Sequence, residues 1–237
     1  MFMDAIQGEQ WMQRLASIHP SGLRHEGKLL AHDHAALVYW SRQEFLDTIV
    51  PFLVDGIRAG DLVVHIAHDE PLAPVVDALA DAGIDVASAA AQGRLMLLSA
   101  QQAFAPNGRF DLEAATAGIK AMIEAAQLDG ARQVRFSVDI SYVLSGTPGI
   151  EDFMVLDARA NDDIFPSQPF ICVCAYNAAR GSNHMVEDMF LTHPLVFVRG
   201  IPMANPYYQL WAQISSRADY LQRWKARYSA VASGAAT

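Results

Sequence analysis

Cysteine is scarce in this chain. There are two, Cys172 and Cys174, set two positions apart in an apolar run that reads as a strand. Side chains at i and i+2 of a strand share one face, a poor geometry for a mutual disulfide. Both are expected as reduced core thiols in a cytoplasmic protein. Basic runs are missing as well. The 17 Lys and Arg face 26 Asp and Glu, for a net charge of −9. Such a surface repels phosphate backbones, so no direct nucleic-acid partner is expected. Arg217, Arg223, Lys225 and Arg227 share their segment with Asp219 and aromatics, and read as a solvated helix face. No stretch reaches the roughly 18 apolar residues of a membrane span. The opening MFMDAIQGEQWMQRL lacks the cationic and apolar regions of a secretory signal. A soluble cytoplasmic domain without a membrane partner is expected.

Several motifs that carry chemistry are also absent. A phosphate-binding loop after the first strand needs glycines and a lysine to wrap phosphates. The chain offers Tyr39-Trp-Ser-Arg-Gln-Glu44 there, and its side chains would fill such a cradle. There is no G-x-G-x-x-G, no G-x-S-x-G elbow, no Cys-x-x-Cys and no His-Glu-x-x-His, which removes the usual signatures of dinucleotide binding, serine hydrolysis and zinc sites. No catalytic residue is assigned, and no cofactor is named.

What remains is a βα alternation. Apolar runs at Ala35–Tyr39, Leu62–Ala67, Leu95–Leu98, Val134–Val138, Phe170–Ala175 and Leu195–Val198 read as strands. Several are apolar on both faces, as in parallel sheets covered on both sides. Helical periodicity occupies 43–59, 71–82, 110–129, 150–164 and 185–191. Pro51 is expected to kink the first of these or to start a second helix. Strands recurring at roughly 25–40-residue intervals imply right-handed crossovers. The predicted fold is α/β, a mostly parallel sheet of about six strands flanked by helices. Residues 1–30 read as a lead-in with a short helix over 5–18, 31–204 as the domain, and 205–237 as a C-terminal helix and tail. Along 205–230, Tyr208, Trp211, Ile214, Ala218, Leu221, Lys225 and Tyr228 recur in steps of three and four. This stripe suits either packing on its own sheet or docking of a protein partner or second copy.

Ligands of open parallel sheets sit at the carboxyl ends of strands. Polar residues after each strand therefore form the candidate rim, with Arg42, His68-Asp69-Glu70, Asp139, Ser141, Tyr142, Tyr176-Asn177 and Arg199-Gly200. Asp139 stands where a nucleotide-hydrolysing protein keeps a magnesium-binding aspartate. His32-x-His34 could place two imidazoles on one face of an extended segment, although hydrogen-bonded strand-end histidines would look the same.

The order and spacing of these features resemble the MEDS domain, the methanogen/methylotroph sensory domain typified by the regulator of dichloromethane dehalogenation. The resemblance rests on His32-Asp-His-Ala-Ala-Leu-Val-Tyr39, Glu44, Pro51-Phe-Leu-Val-Asp-Gly56, Gly93-Arg-Leu, Gly108-Arg-Phe-Asp111, Val138-Asp-Ile-Ser-Tyr142, Thr192-His-Pro-Leu-Val196 and Asn205-Pro-Tyr-Tyr208. It implies a RecA-like or KaiC-like core without a phosphate-binding loop, sensing hydrocarbon derivatives or related small molecules in signalling and transcription control. Family members are often fused to output domains, for which this length leaves no room. The family pattern falls on His34, Asp139, His193-Pro194 and Asn205-Pro-Tyr207. The cysteine that often follows the first histidine by two is Ala36 here, so no Cys/His pair is expected at that place.

The resulting expectation is a stand-alone sensory domain. A small ligand would be lined by His34, Tyr39, Asp139, Tyr142, Tyr176 and His193, and the terminal helix would pass the signal to a regulator or kinase or form a homodimer. The alternatives are a degenerate nucleotide-binding protein with Asp139 on magnesium, and a haem or metal sensor using the histidines.

Overall fold

The computed structural model describes residues 20–25, 28–31, 34–68, 70–179, 183–198 and 201–232. The helix expected over 5–18, together with His32, Asp69 and Arg199-Gly200, lies outside them.

Two short strands, β1 (Pro20–His25) and β2 (Lys28–Ala31), pair antiparallel. They fall in the segment read as a lead-in. The main sheet holds β3 (His34–Tyr39), β4 (Leu62–Ala67), β5 (Leu95–Ser99), β6 (Val134–Asp139), β7 (Phe170–Asn177), β8 (Leu195–Val198) and β9 (Ile201–Ala204). Their order is β5-β4-β6-β7-β3-β8-β9, with every pair parallel except β8–β9. The sheet is therefore mostly parallel, and all six expected strands are present. The extra strand, β9, carries Pro202 and lies at an edge, where a missing amide donor breaks no ladder.

Helices cover both faces. Alternate residues of β3 and β7 belong to separate cores. Ala35, Leu37, Ile171 and Val173 pack under α1 (Arg42–Ala59), α2 (Leu72–Asp81) and α3 (Val86–Ala91). Ala36, Cys172, Cys174 and Tyr176 face α4 (Ala100–Phe104), α5 (Leu112–Leu128), α6 (Phe153–Asp163) and α7 (Asn183–Thr192). Ser41 caps α1 by accepting from the Glu44 amide, and Gly60 ends it in the left-handed region. α1 runs through Pro51 as one helix, without the second start the sequence allowed.

Gly56 lets α1 come down on the sheet. A Cβ there would lie 2.6 Å from Arg135 Cδ and 2.7 Å from Val63 Cγ2. Arg135 is itself clamped. Its guanidinium donates to Asp61, which is fully buried and also receives Arg132 at 3.0 Å and Gln133 at 3.0 Å. This network ties together the amino ends of β4 and β6.

The C-terminal stripe is not one helix. Pro206 disfavours helical backbone at Asn205, and Asn205 instead donates to the carbonyls of Phe190 (2.6 Å) and His193 (2.7 Å). Helix begins only at α8 (Trp211–Ser215) and resumes as α9 (Ala218–Ala232). Ile214, Trp224 and Tyr228 are buried in the domain's own core. Asp188 of α7 anchors α9, accepting from Trp224 Nε1 at 2.7 Å and from Arg227 and Tyr228. The apolar side of the stripe thus packs on its own domain.

Candidate functional site

Four donor side chains meet under the sheet, on the face covered by α6. They are His34 at the start of β3, Asp157 in α6, Cys174 in β7 and His193 in the turn before β8. Their nearest donor atoms all lie within 4.8 Å of one another, and all four residues are buried. His34 Nε2 is 3.1 Å from Asp157 Oδ1 and 3.4 Å from Cys174 Sγ. Asp157 Oδ1 is also 3.6 Å from His193 Nε2 and 3.6 Å from Cys174 Sγ. The two imidazole centroids lie 3.9 Å apart with their planes tilted by 38°, and His34 stacks on the Phe165 ring with centroids 4.7 Å apart.

Both rings are oriented from behind. His193 Nδ1 donates to the Met189 carbonyl at 2.8 Å, and the Thr192 hydroxyl lies 2.9 Å away. His34 Nδ1 faces Asn161 Oδ1 at 3.3 Å. The Asn161 amide nitrogen donates to the carbonyls of Thr192 (2.7 Å) and Ala158 (3.2 Å), so its oxygen must face the imidazole. Each Nδ1 therefore carries the proton that meets an oxygen, and each Nε2 turns inward. His193 Nε2 is buried and has no hydrogen-bond partner. Buried polar atoms are nearly always paired, so an orphan of this kind asks for an explanation.

The electrostatics divide the cluster. Burial opposes charge on His34, but the Asp157 carboxylate and Cys174 prevail and push its pKa up to about 10. Burial also opposes charge on Asp157. The imidazoles of His193 and His34 outweigh it and hold the carboxyl well below its usual range. At His193 burial wins, and the pKa falls to about 4. Burial raises the Cys174 thiol well above its ordinary value. Left to itself the site holds an imidazolium–carboxylate pair, a neutral imidazole and a thiol.

An apolar cavity of about 40 Å³ adjoins the cluster. Phe104, Phe136, Phe153, Phe165 and Phe170 line it with Ala160 and Ile164, and His34, Asp157, Cys172 and Cys174 are also among its lining residues. Cys172 and Cys174 are free thiols with sulfurs 3.6 Å apart on this face, as the strand spacing predicted.

The structure divides the six residues expected to share one rim. His34 and His193 come together, but at the amino ends of their strands, because β3 begins at His34 and His193 precedes β8. Asp139 lies at the carboxyl end of β6, where it accepts from the Ser141 amide at 3.1 Å, the Ser141 hydroxyl and the Glu70 amide at 3.4 Å. Glu70 in turn accepts from Arg42 (2.9 Å) and Asn177 (3.3 Å). Tyr142 donates to Gln101 at 3.2 Å. Tyr176 is buried on the Cys174 face, whereas Tyr39 packs on Phe45 on the opposite face. Asp157 and Asn161 escaped sequence reading. The signal was there, since Phe153, Asp157, Ala160 and Ile164 follow steps of four, three and four, which puts a carboxylate in an apolar stripe.

A family profile described as the MEthanogen/methylotroph, DcmR Sensory domain, MEDS, matches residues 33–194. The span takes in all four cluster residues. No curated protein matches the sequence. Among solved structures, a KaiC-like protein from the hyperthermophilic archaeon Pyrococcus horikoshii OT3 is similar in fold. It has a TM-score of 0.52 at 13% identity, over 76% of this chain and 78% of that one. That likeness places the sheet among RecA-like cores, and with the profile covering most of its length the chain belongs to the MEDS sensory-domain family.

Proposed function

We propose that this chain senses a small, largely apolar molecule in the cavity beside His34, Asp157 and Cys174. The observation that carries this reading is the cavity itself, an apolar space of about 40 Å³ that has His34, Asp157 and Cys174 among its lining residues. Small-molecule sites commonly combine an apolar wall with a few convergent polar groups. The volume suits roughly three water-sized centres, so the ligand is of one- or two-carbon size. A haem needs several times that space, roughly the few hundred Å³ of ordinary cofactor sites. A nucleotide reading has less support, since the Asp139 carboxylate already accepts from Ser141 and the Glu70 amide.

The signal has a physical route out. α6 carries Asp157 and packs against α7 and α8, and α9 is anchored on α7 through Asp188. A ligand that shifts α6 would be felt at the C-terminal helices, whose outward face would then meet a regulator, a kinase or a second copy.

Methyl NMR tests the site. A one-carbon halide such as dichloromethane should shift the methyl signals of Ile119, Val138, Leu156 and Ile164, which line the cavity. The variant Ala160→Leu, which fills it, should abolish those shifts while the rest of the spectrum stays native. Shifts confined to other methyls, or persisting in Ala160→Leu, would rule the cavity out as the sensing site.

A further inference from the structure

We propose that His34 Nε2, His193 Nε2, Cys174 Sγ and the Asp157 carboxylate bind a single divalent transition ion of zinc type. This goes beyond the small-ligand reading, since the metal site stands whether or not the cavity is ever filled.

Three independent observations carry it. The first is spacing. Bonds of about 2.0–2.3 Å at a tetrahedral ion put neighbouring donor atoms about 3.3–3.7 Å apart. Four of the six donor separations here are 3.1, 3.4, 3.6 and 3.6 Å. Four groups from four segments thus stand near the corners of a coordination tetrahedron, with all six separations within 4.8 Å, and the longer ones would have to close on binding.

The second is orientation. Metal-binding histidines usually donate their other ring N–H to a carbonyl or carboxylate, which fixes the tautomer and aims the free nitrogen. His193 does this through the Met189 carbonyl and His34 through Asn161, which is itself locked by two carbonyls. His193 Nε2 points into the cluster without a hydrogen-bond partner, 3.6 Å from Asp157 Oδ1. His65 Nε2 is likewise unpaired, but His193 Nε2 belongs to a set of four donor atoms from four residues lying within 4.8 Å of one another.

The third is charge. A carboxylate, a thiolate and two neutral imidazoles sum to minus two, which neutralises one divalent ion in a place where an uncompensated charge is very costly. The mixed nitrogen, oxygen and sulfur set favours ions of borderline softness over magnesium or calcium, which prefer all-oxygen cages. Each coordinating atom must be deprotonated to bind, so metal uptake releases protons and is favoured by rising pH.

Cobalt(II) substitution tests this on the full chain. Chelator-treated protein should take up one equivalent of Co²⁺, displaceable by Zn²⁺, with the intense visible bands of four-coordination and a thiolate charge-transfer band. Cys174→Ser should remove the charge-transfer band, and Cys172→Ser, two residues away on the same face, should keep it. His193→Ala should lose four-coordinate intensity. Because Cys174→Ser is nearly isosteric, its fold can be checked by circular dichroism before the spectra are compared. Absence of stoichiometric uptake would overturn the proposal, and so would a charge-transfer band that survives Cys174→Ser. Ala160→Leu separates this from the sensing reading. Metal uptake without any response to halomethane in the wild type leaves the metal site standing and sinks the cavity reading. A halomethane response in protein that takes up no metal does the reverse.

Discussion

Ala36 of β3 stands in register with Cys174 of β7, and both side chains enter the same core. Position 36 is where the family pattern often has its cysteine, two residues after the histidine. In this chain the neighbouring strand brings a thiol to the same patch of the sheet, one strand over.

That relationship makes a transposition experiment possible. The double variant Ala36→Cys/Cys174→Ala moves the sulfur across to β3 without changing the cluster's composition. It is expected to bind one equivalent of Co²⁺ with a thiolate band, while Cys174→Ala alone loses the band. A double variant that stays spectroscopically silent would mean that only β7 can aim the sulfur correctly.

Asn161 touches no donor atom directed at the ion, yet it holds His34 in its tautomer. Removing such an outer partner typically weakens metal affinity by about 10–100-fold. Asn161→Ala is expected to lose metal affinity in that range, measured by competition with a chromogenic chelator, while its stoichiometry remains one.

Stability should fall on acidification for a reason that can be located. His65 is buried against Ser137 (3.1 Å), and its pKa is lowered to about 4 because burial penalises the charged ring. The unfolded chain binds that proton near pH 6.5, so between about 6.5 and 4 unfolding takes up a proton the fold refuses. Stability therefore decreases as pH drops through this window, by at most about 1.4 kcal/mol per pH unit for each such histidine. His193 in the metal-free protein adds a second contribution of the same sign. His34 acts oppositely. Its raised pKa gives stability that is complete below about 6.5 and is lost as pH climbs toward about 10. His65→Gln should flatten the acid limb of a plot of unfolding free energy against pH by about half, as read by urea titration.

Gly56 should tolerate no side chain. The methyl of Gly56→Ala would meet Arg135 and Val63 at under 3 Å, and Arg135 is held by buried Asp61. Overpacking of this kind typically costs about 1–3 kcal/mol. Denaturant unfolding should show a lower midpoint with an unchanged slope, whereas Gly118→Ala, where nothing lies within 4 Å of the added carbon, should match or exceed the wild type.

Asp188→Asn keeps the shape of the α9 anchor but removes its charge. Trp224, Arg227 and Tyr228 all donate to this one buried carboxylate. Hydrogen bonds to charged groups contribute about 1.5–3 kcal/mol. Limited proteolysis should cut the variant within 211–232 much faster than the wild type, with the rest of the domain still resistant. Equal cutting rates would show that α9 is held mainly by apolar packing.

The strands were legible because parallel, doubly covered strands are unbroken apolar runs, as in Leu62–Ala67 and Phe170–Ala175. The β1–β2 pair and β9 were not. Lys28 and Pro202 are poor strand markers, and edge pairing depends on what lies alongside. The site was half legible. His34 and His193 drew notice as residue types, but their partners sit 127 and 140 positions from His34. Asp157 looked like one more acid on a helix with Asp162 and Asp163. Which of the three carboxylates turns inward depends on helical phase, and a phase reading of Phe153, Ala160 and Ile164 would have selected it. The docking of the terminal stripe depended on Asp188, a contact that no local pattern announces.

The four converging side chains come from positions 34, 157, 174 and 193, in an order that matters during synthesis. During synthesis His34 emerges first and His193 last, so the set is incomplete until the whole span between them has been made. No partial product can hold the ion as the finished protein would, and no local hairpin or helix can preload it. Loading of the proposed site would thus follow synthesis and folding of the span from His34 to His193, so metal shortage would leave a folded span without its ion.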